Sequence, residues 1–261
     1  MQTWPPSNHV LTRNGLATDP EKTKAIMDIE VPKCVKQLRS FLGLCNYYRR
    51  FIKDYSHLSN PLEKLCSSSL KRLVFTEDCK EKFHALKNKL MTSPVLSFPD
   101  YQKKFILDTD ASFDCIGAVL SQVDENGNEQ VVSYGSHSLN KHELGYCVTR
   151  KELLAVFYFV NSFKHYLYGR RFVVRTDHKA ITFMVKTKKP LTTQFQNWIG
   201  FLSGLDIEFV YRKGERHINA DALSRKNCTT CSQCQTFHED AKTLKPKTKM
   251  IMALDKDGYK W

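Results

Sequence analysis

The 261-residue sequence predicts an α/β protein: a mostly helical segment over residues 1–100, a mixed sheet flanked by helices over 101–226, and a Cys- and Lys-rich tail over 227–261. Three observations carry that reading. Apolar residues recur at three- and four-residue spacing as far as Met91. Prolines in Ser93-Pro94 and Phe98-Pro99-Asp100 then interrupt the pattern and mark a boundary. Beyond them strand-like alternation exchanges with helical periodicity, which implies a sheet covered by helices.

The elements follow in order. Asp19-Pro20 reads as an N-cap with proline at the first helical position, opening a helix that stops before Val31-Pro32. From Val35, the residues Leu38, Phe41, Leu42, Cys45 and Ile52 form one apolar stripe, and Lys36, Arg39, Arg49, Arg50 and Lys53 form its other side. That basic side is either a solvated face or a track for a phosphate backbone, with Tyr47 and Tyr48 able to contact sugar or base. A further helix covers about Asp78 to Met91. Strands are expected over Phe105 to Asp110, Gly117 to Val123 and Val131 to Ser138, the last two joined by a hairpin turn at Asp124-Glu125-Asn126-Gly127. A helix over Thr149 to His165, a strand over Phe172 to Thr176, a helix over Thr193 to Leu205 and a strand over Ile207 to Arg212 complete the pattern.

Lys plus Arg number 40 against 27 Asp plus Glu, a net charge of +13, and aromatics make up 11%. A basic excess spread along the chain favours polyanions, of which nucleic acid is the commonest for such a protein. No apolar run approaches the roughly 18 residues of a membrane span, and MQTWPPSNHV lacks the apolar core of a signal peptide. The expectation is a soluble intracellular protein of cytoplasm or nucleus. The nine cysteines are an odd number, and Cys34, Cys45, Cys66, Cys115 and Cys147 sit singly in apolar patterns, so buried free thiols in a reducing compartment are expected.

Candidate chemistry lies in the carboxylates Asp110, Glu152, Asp177 and Asp221. Alternation along FILDTD puts Ile106, Asp108 and Asp110 on one face, and two acids there are costly unless neutralised. A metal at the strand end resolves the cost; a simple turn from Asp110 to Ser112 is the other reading. Glu152 follows Thr149 at capping-box spacing, so it either caps its helix or points at a ligand. Asp177 ends a strand beside His178 and is either a site residue or the N-cap of KAITFMV. Asp221, in HINADALSR, is uninformative alone, but the four acids together fall on successive elements of one compact fold. Acids that converge in this way hold hard divalent ions, and a pair of such ions can cleave a phosphodiester.

The segments TDASFDCIGAVLSQ, SYGSHSLN, TRKELLAVFYFVNSFKHYLYG, FVVRTDHKAI and NADALSR resemble, in order, the ribonuclease H domain in the Pol polyprotein of gypsy-class LTR retrotransposons. The resemblance implies a ribonuclease H-like mixed five-stranded sheet, an endonuclease that cleaves the RNA strand of RNA:DNA hybrids, and two magnesium ions with manganese as substitute. It carries the catalytic and metal-binding roles to Asp110, Glu152, Asp177 and Asp221, leaves Asp108 without one, and raises His217 as a helper in the loop before Asp221. Upstream, GLATDPEKTKAI, VPKCVKQLRSFLGLCNYYRRFIKDYSHLSNPL and FTEDCKEKFHALKNKLMTSPVLSFPD resemble the thumb and connection that follow a polymerase palm.

No Tyr-x-Asp-Asp and no Asp-Asp pair occurs, so polymerase activity is not expected of this chain alone. Cys228, Cys231, Cys234 and His238 are zinc ligands by type at a compressed spacing, and the lysines from Lys242 to Lys249 read as a linker. The implied partners are an RNA:DNA hybrid, an upstream polymerase and a downstream integrase of the same polyprotein. The rival readings are a non-catalytic nucleic-acid-binding remnant or adapter, and a fragment active only within a complete reverse transcriptase.

Overall fold

The computed structural model describes residues 9–13, 15–19, 24, 26, 28–67, 74–185 and 192–212. The helix expected after Asp19-Pro20 falls mostly outside these residues. A short antiparallel hairpin, β1 (His9–Thr12) and β2 (Gly15–Thr18), comes first. Its register is fixed from afar, because Leu16 and Leu96 exchange backbone hydrogen bonds at 2.7 and 2.8 Å. Gly15, at φ +144°, makes that approach possible: a Cβ there would lie 2.1 Å from the Leu96 carbonyl oxygen.

The apolar stripe from Val35 becomes helix α1 (Val35–Tyr47), which buries Leu38, Phe41, Leu42 and Cys45. The stripe does not continue to Ile52 in one helix. A 3-10 turn over Arg49–Phe51 breaks it, and Asp54, at φ 58°, then redirects the chain into α2 (Tyr55–Ser67). Helix α3 (Glu77–Met91) starts where the Thr76 hydroxyl accepts from the Cys79 amide and acidic Glu77 and Asp78 suit the positive helix end. These helices close over one core containing Phe41, Tyr48, Phe51, Leu62, Phe83 and Leu86.

After α3 the chain enters the sheet through β3 (Phe105–Ala111), β4 (Cys115–Val123) and β5 (Glu129–Ser138). Asp124 supports the β4–β5 turn by accepting from the Asn126 and Asn128 amides at 2.8 Å, and Gly127 supplies φ +84°. A short helix, α4 (Lys141–Leu144), carries a capping box of Asn140 and Glu143. Helices α5 (Val148–Ser162) and α6 (Lys164–Leu167) lead to β6 (Phe172–Thr176), α7 (Lys179–Met184), α8 (Thr193–Ser203) and β7 (Ile207–Tyr211).

The five strands lie in the order β5-β4-β3-β6-β7. β3, β4 and β5 are antiparallel neighbours, whereas β3–β6 and β6–β7 are parallel, so the sheet is mixed. Helix α5 buries Leu153, Ala155, Val156, Phe159 and Val160 against Phe105, Leu107, Leu120, Phe172 and Val174. Gly135 lets β5 reach this helix, since a Cβ there would meet the Phe159 ring at 2.7 Å.

Edge strand β5 would offer unpaired backbone groups to other chains. The helical segment covers part of it: the Ser56 amide and hydroxyl both lie 3.0 Å from Ser136 Oγ, Arg49 donates to the Ser136 carbonyl, and Val131 and Tyr134 pack on the helical core.

Candidate active site

Parallel pairing explains why distant acids meet. Asp108 stands opposite Arg175 in the β3–β6 register, so two residues further on Asp110 comes beside Asp177. This is the carboxyl end of a parallel strand pair, where open sheets place their ligands. Helix α5 delivers Glu152 to the same end, and donor oxygens of Asp110, Glu152 and Asp177 lie within 4.8 Å of one another. Asp110 and Asp177 are exposed, whereas Glu152 is 4% exposed.

The environment of Glu152 is the unusual one. Its carboxylate accepts from the Ala111 amide, while its Oε2 is buried without a hydrogen-bond partner. Burial first, and then the charges of Asp110 and Asp177, hold its pKa well above the ordinary carboxylate range. Acids this close resist joint ionisation unless a cation joins them. An all-oxygen donor set with one orphaned buried oxygen fits a hard divalent cation.

The capping role considered for Glu152 is overturned. Helix α5 begins at Val148 with Cys147 as N-cap and no side-chain cap, which places Thr149 and Glu152 inside the helix. Thr149 instead meets His178 Nε2 through Oγ1 at 2.9 Å, tying α5 to the segment after β6. The His178 amide donates to Thr176 Oγ1 at 3.1 Å, which fixes that segment in turn. Sequence spacing offered no signal for this pairing.

The cation that answers Asp108 is a side chain of the sheet itself. Arg175 forks across both Asp108 oxygens, with Nε to Oδ1 at 2.7 Å, and it also grips Glu129, with Nη2 to Oε2 at 2.7 Å. Arg212 approaches Asp108 at 3.6 Å. Arg175 is 7% exposed, and its two carboxylate partners hold its pKa above the usual guanidinium range despite burial. Glu129 is held low, chiefly by its hydrogen bonds from Arg175.

Lys151, next to Glu152, was also unforeseen. It is buried, donates to the Phe113 carbonyl at 2.6 Å and lies 5.0 Å from the Phe113 ring centre. Its position inside the apolar run KELLAVF was the available hint.

The residues expected to track nucleic acid divide. Tyr48 is 1% exposed and belongs to the helical core, so its ring is not presented to a base. Arg49 is committed to the Ser136 carbonyl and lies 5.7 Å from the Tyr55 ring centre. Arg39 donates to the Cys66 carbonyl at 3.1 Å from an exposed position. Tyr47 and Lys53 are exposed and Arg50 is half-buried. Asp221, His217, Cys228, Cys231, Cys234 and His238 lie outside the described residues. Among those described, Cys34, Cys45, Cys66, Cys79, Cys115 and Cys147 are all free thiols. No described helix is long and apolar enough to cross a membrane.

A mixed five-stranded sheet flanked by helices, with acids gathered where its two central parallel strands end, defines a ribonuclease H-like domain. Residues 75–174 match the RNase H-like domain found in reverse transcriptase, a span that crosses the Phe98–Asp100 break. The chain is 38% identical over 217 residues to the retrovirus-related Pol polyprotein from transposon 297 of Drosophila melanogaster, covering 83% of this chain and 20% of that one. It is 34% identical over 248 residues to the Pol polyprotein from transposon gypsy of the same organism, covering 88% of this chain and 23% of that one.

Among solved structures, the foamy viral protease-reverse transcriptase in complex with RNA/DNA hybrid superposes at TM-score 0.68 with 22% identity, over 81% of this chain and 29% of that one. The same protein in complex with dsDNA gives TM-score 0.69 at 22% identity, over 81% and 45%. These two likenesses concern the fold. Over most of its length the chain is homologous to retrotransposon Pol polyproteins, and it spans about a fifth of the length of the relatives it matches.

Proposed function

We propose that this chain is a magnesium-dependent endonuclease that cleaves the RNA strand of RNA:DNA hybrids, as the ribonuclease H part of a retrotransposon reverse transcriptase. The observation that carries the proposal is the convergence of Asp110, Glu152 and Asp177 around the orphaned Glu152 oxygen. These acids, with Asp221 carried over by its motif, would hold the divalent cations, manganese being able to replace magnesium. Such cations activate water and neutralise charge on the leaving oxygen.

The rest is the work of the chain's own residues. The Ala111 amide pins one end of the Glu152 carboxylate, and the Thr149–His178 contact holds α5 against the strand ends. The hybrid would be recognised through backbone geometry and the 2′-hydroxyl rather than base sequence. Arg39, Tyr47, Arg50 and Lys53 are the candidates to extend that contact along the helical segment, and His217 is the candidate for product exchange. The foamy viral relative of this fold has been solved with an RNA/DNA hybrid bound.

The deciding experiment incubates wild type and Asp110→Asn with a labelled hybrid in magnesium or manganese. Cleavage by wild type alone is expected; an intact hybrid that wild type nevertheless binds would overturn the catalytic reading. Because the chain spans about a fifth of its relatives, a second reading has support: activity only within a complete reverse transcriptase. Cleavage appearing only on adding the polymerase part would select it.

A further inference from the structure

A second group of metal-ligating side chains lies on the seam between the helical segment and the sheet. His57 on α2, Asp114 in the β3–β4 turn and Cys115 at the start of β4 offer nitrogen, oxygen and sulfur donors within 4.8 Å of one another. Cys115 is 6% exposed; its thiol donates to Asp114 Oδ1 at 3.3 Å, with Ser112 Oγ 3.2 Å from the sulfur. Asn60, one turn along α2 from His57, donates through Nδ2 to Asp114 Oδ2 at 2.9 Å. His57 itself is exposed, so the group is reachable from solvent.

We propose that His57, Asp114 and Cys115 form a site for zinc, with the fourth position open to water. The donor chemistry selects the ion: imidazole and thiolate suit zinc, whereas the oxygen-only group at Asp110, Glu152 and Asp177 suits magnesium. Binding replaces the thiol proton, now shared with Asp114, by the metal and releases that proton to solvent. The Asn60 amide already orients the carboxylate through the oxygen that the thiol does not use, an arrangement common around metal ligands.

The site has a structural consequence. His57 belongs to the helical segment and the other two ligands to the β3–β4 hairpin, so the ion would staple the two parts together. Asp114 and Cys115 follow closely on Asp110, so the staple would also steady the strand end that carries it. This inference is independent of whether the acids cut a hybrid.

The test is a cobalt(II) titration of the full chain with Cys228, Cys231 and Cys234 changed to Ser, which removes the tail thiols from the measurement. A near-ultraviolet thiolate-to-cobalt band is expected. Cys115→Ser should abolish it, and His57→Ala should weaken cobalt binding at least tenfold. Asn60→Ala should weaken it roughly 10- to 100-fold, as loss of an orienting partner does. Glu152→Gln should leave the band in place. Zinc should slow amide exchange in α2 of the wild type and not of His57→Ala. A band that survives Cys115→Ser, or equal titrations of His57→Ala and its parent, would overturn the proposal. His57 is exposed, so its variant decides the matter even if Cys115→Ser fails to fold.

Discussion

On β3, Asp108 and Asp110 stand two residues apart and meet opposite environments. Asp108 joins Glu129, Arg175 and Arg212 in a cluster where carboxylates and guanidinium groups interlock. Asp110 joins Glu152 and Asp177, and both of those aspartates raise the Glu152 pKa. The first cluster is balanced from within the fold; the second carries an electrostatic cost that its own acids create. Burial beside two other acids disfavours the charge on Glu152, so the strand-end cluster is the one whose arrangement calls for something added. On the proposed function, the contrast separates a structural role for Asp108 from a chemical role for Asp110.

The sharpest way to break this contrast is to exchange the two acids' fates. Asp110→Asn should abolish hybrid cleavage, exceeding the roughly 100-fold loss typical of residues that only orient metal ligands, with hybrid affinity unchanged or raised. Asp108→Asn should retain at least half of the activity. Equal losses in a cleavage assay would erase the distinction. Next in size is Arg175→Ala, which leaves Asp108 and Glu129 facing each other across a buried gap. Those carboxylates are 28% and 27% exposed, so the expected loss in urea unfolding is about 3 kcal/mol, the low end for a broken buried pair. Removing all three charges together should cost less than removing the arginine alone.

Smaller again is Glu152→Gln measured in a chelator. It deletes a charge that burial and two acids disfavour, so thermal stability should rise by roughly 2–4 °C, the equivalent of about 1 kcal/mol in a domain of this size. Magnesium should then raise the melting temperature of the wild type and not of this variant. A variant that melts lower than wild type in chelator would show that Glu152 is a packing residue.

Much of this was legible in sequence, and the failures have physical causes. Strand and hairpin positions followed from alternation and from Asp124 to Gly127, because period and turn chemistry are local. Asp110 and Asp177 were recognisable by their motif frames. The partner of Asp108 was not, since Arg175 arrives through a parallel pairing 67 residues away, and alternation alone suggested a metal where the sheet supplies a guanidinium. Thr149 and Glu152 imitated a capping box because the spacing matched, but the helix starts at Val148 and the Thr149 hydroxyl is drawn to His178. Tyr48 sat beside arginines and looked available to a base; its burial depends on core residues such as Phe51 and Phe83, which adjacency in sequence does not reveal. The β1–β2 hairpin went unread because its register is set by Leu96.

The finest test of the contrast is the pH dependence of stability, where the two clusters have opposite signs. Glu129 has a folded pKa below the ordinary glutamate value of 4.5, because Arg175 donates to its charged form. The unfolded chain therefore binds that proton more tightly, and the stabilisation is present above about pH 4.5 and lost as pH falls through the folded value. Glu152 has a folded pKa well above 4.5, because burial and its acidic neighbours penalise its charge. Here the folded chain binds the proton more tightly, so the contribution is present below 4.5 and is lost as pH rises through the raised folded value. In chelator, the stability difference between wild type and Glu129→Gln should shrink as pH drops below that point, whereas wild type should become progressively less stable than Glu152→Gln as pH climbs above it. Magnesium should flatten the second trend and leave the first untouched, since a cation bound by the acids competes with the proton only at the strand end. Parallel trends for the two variants, or a magnesium effect on both, would mean that the clusters are not electrostatically distinct.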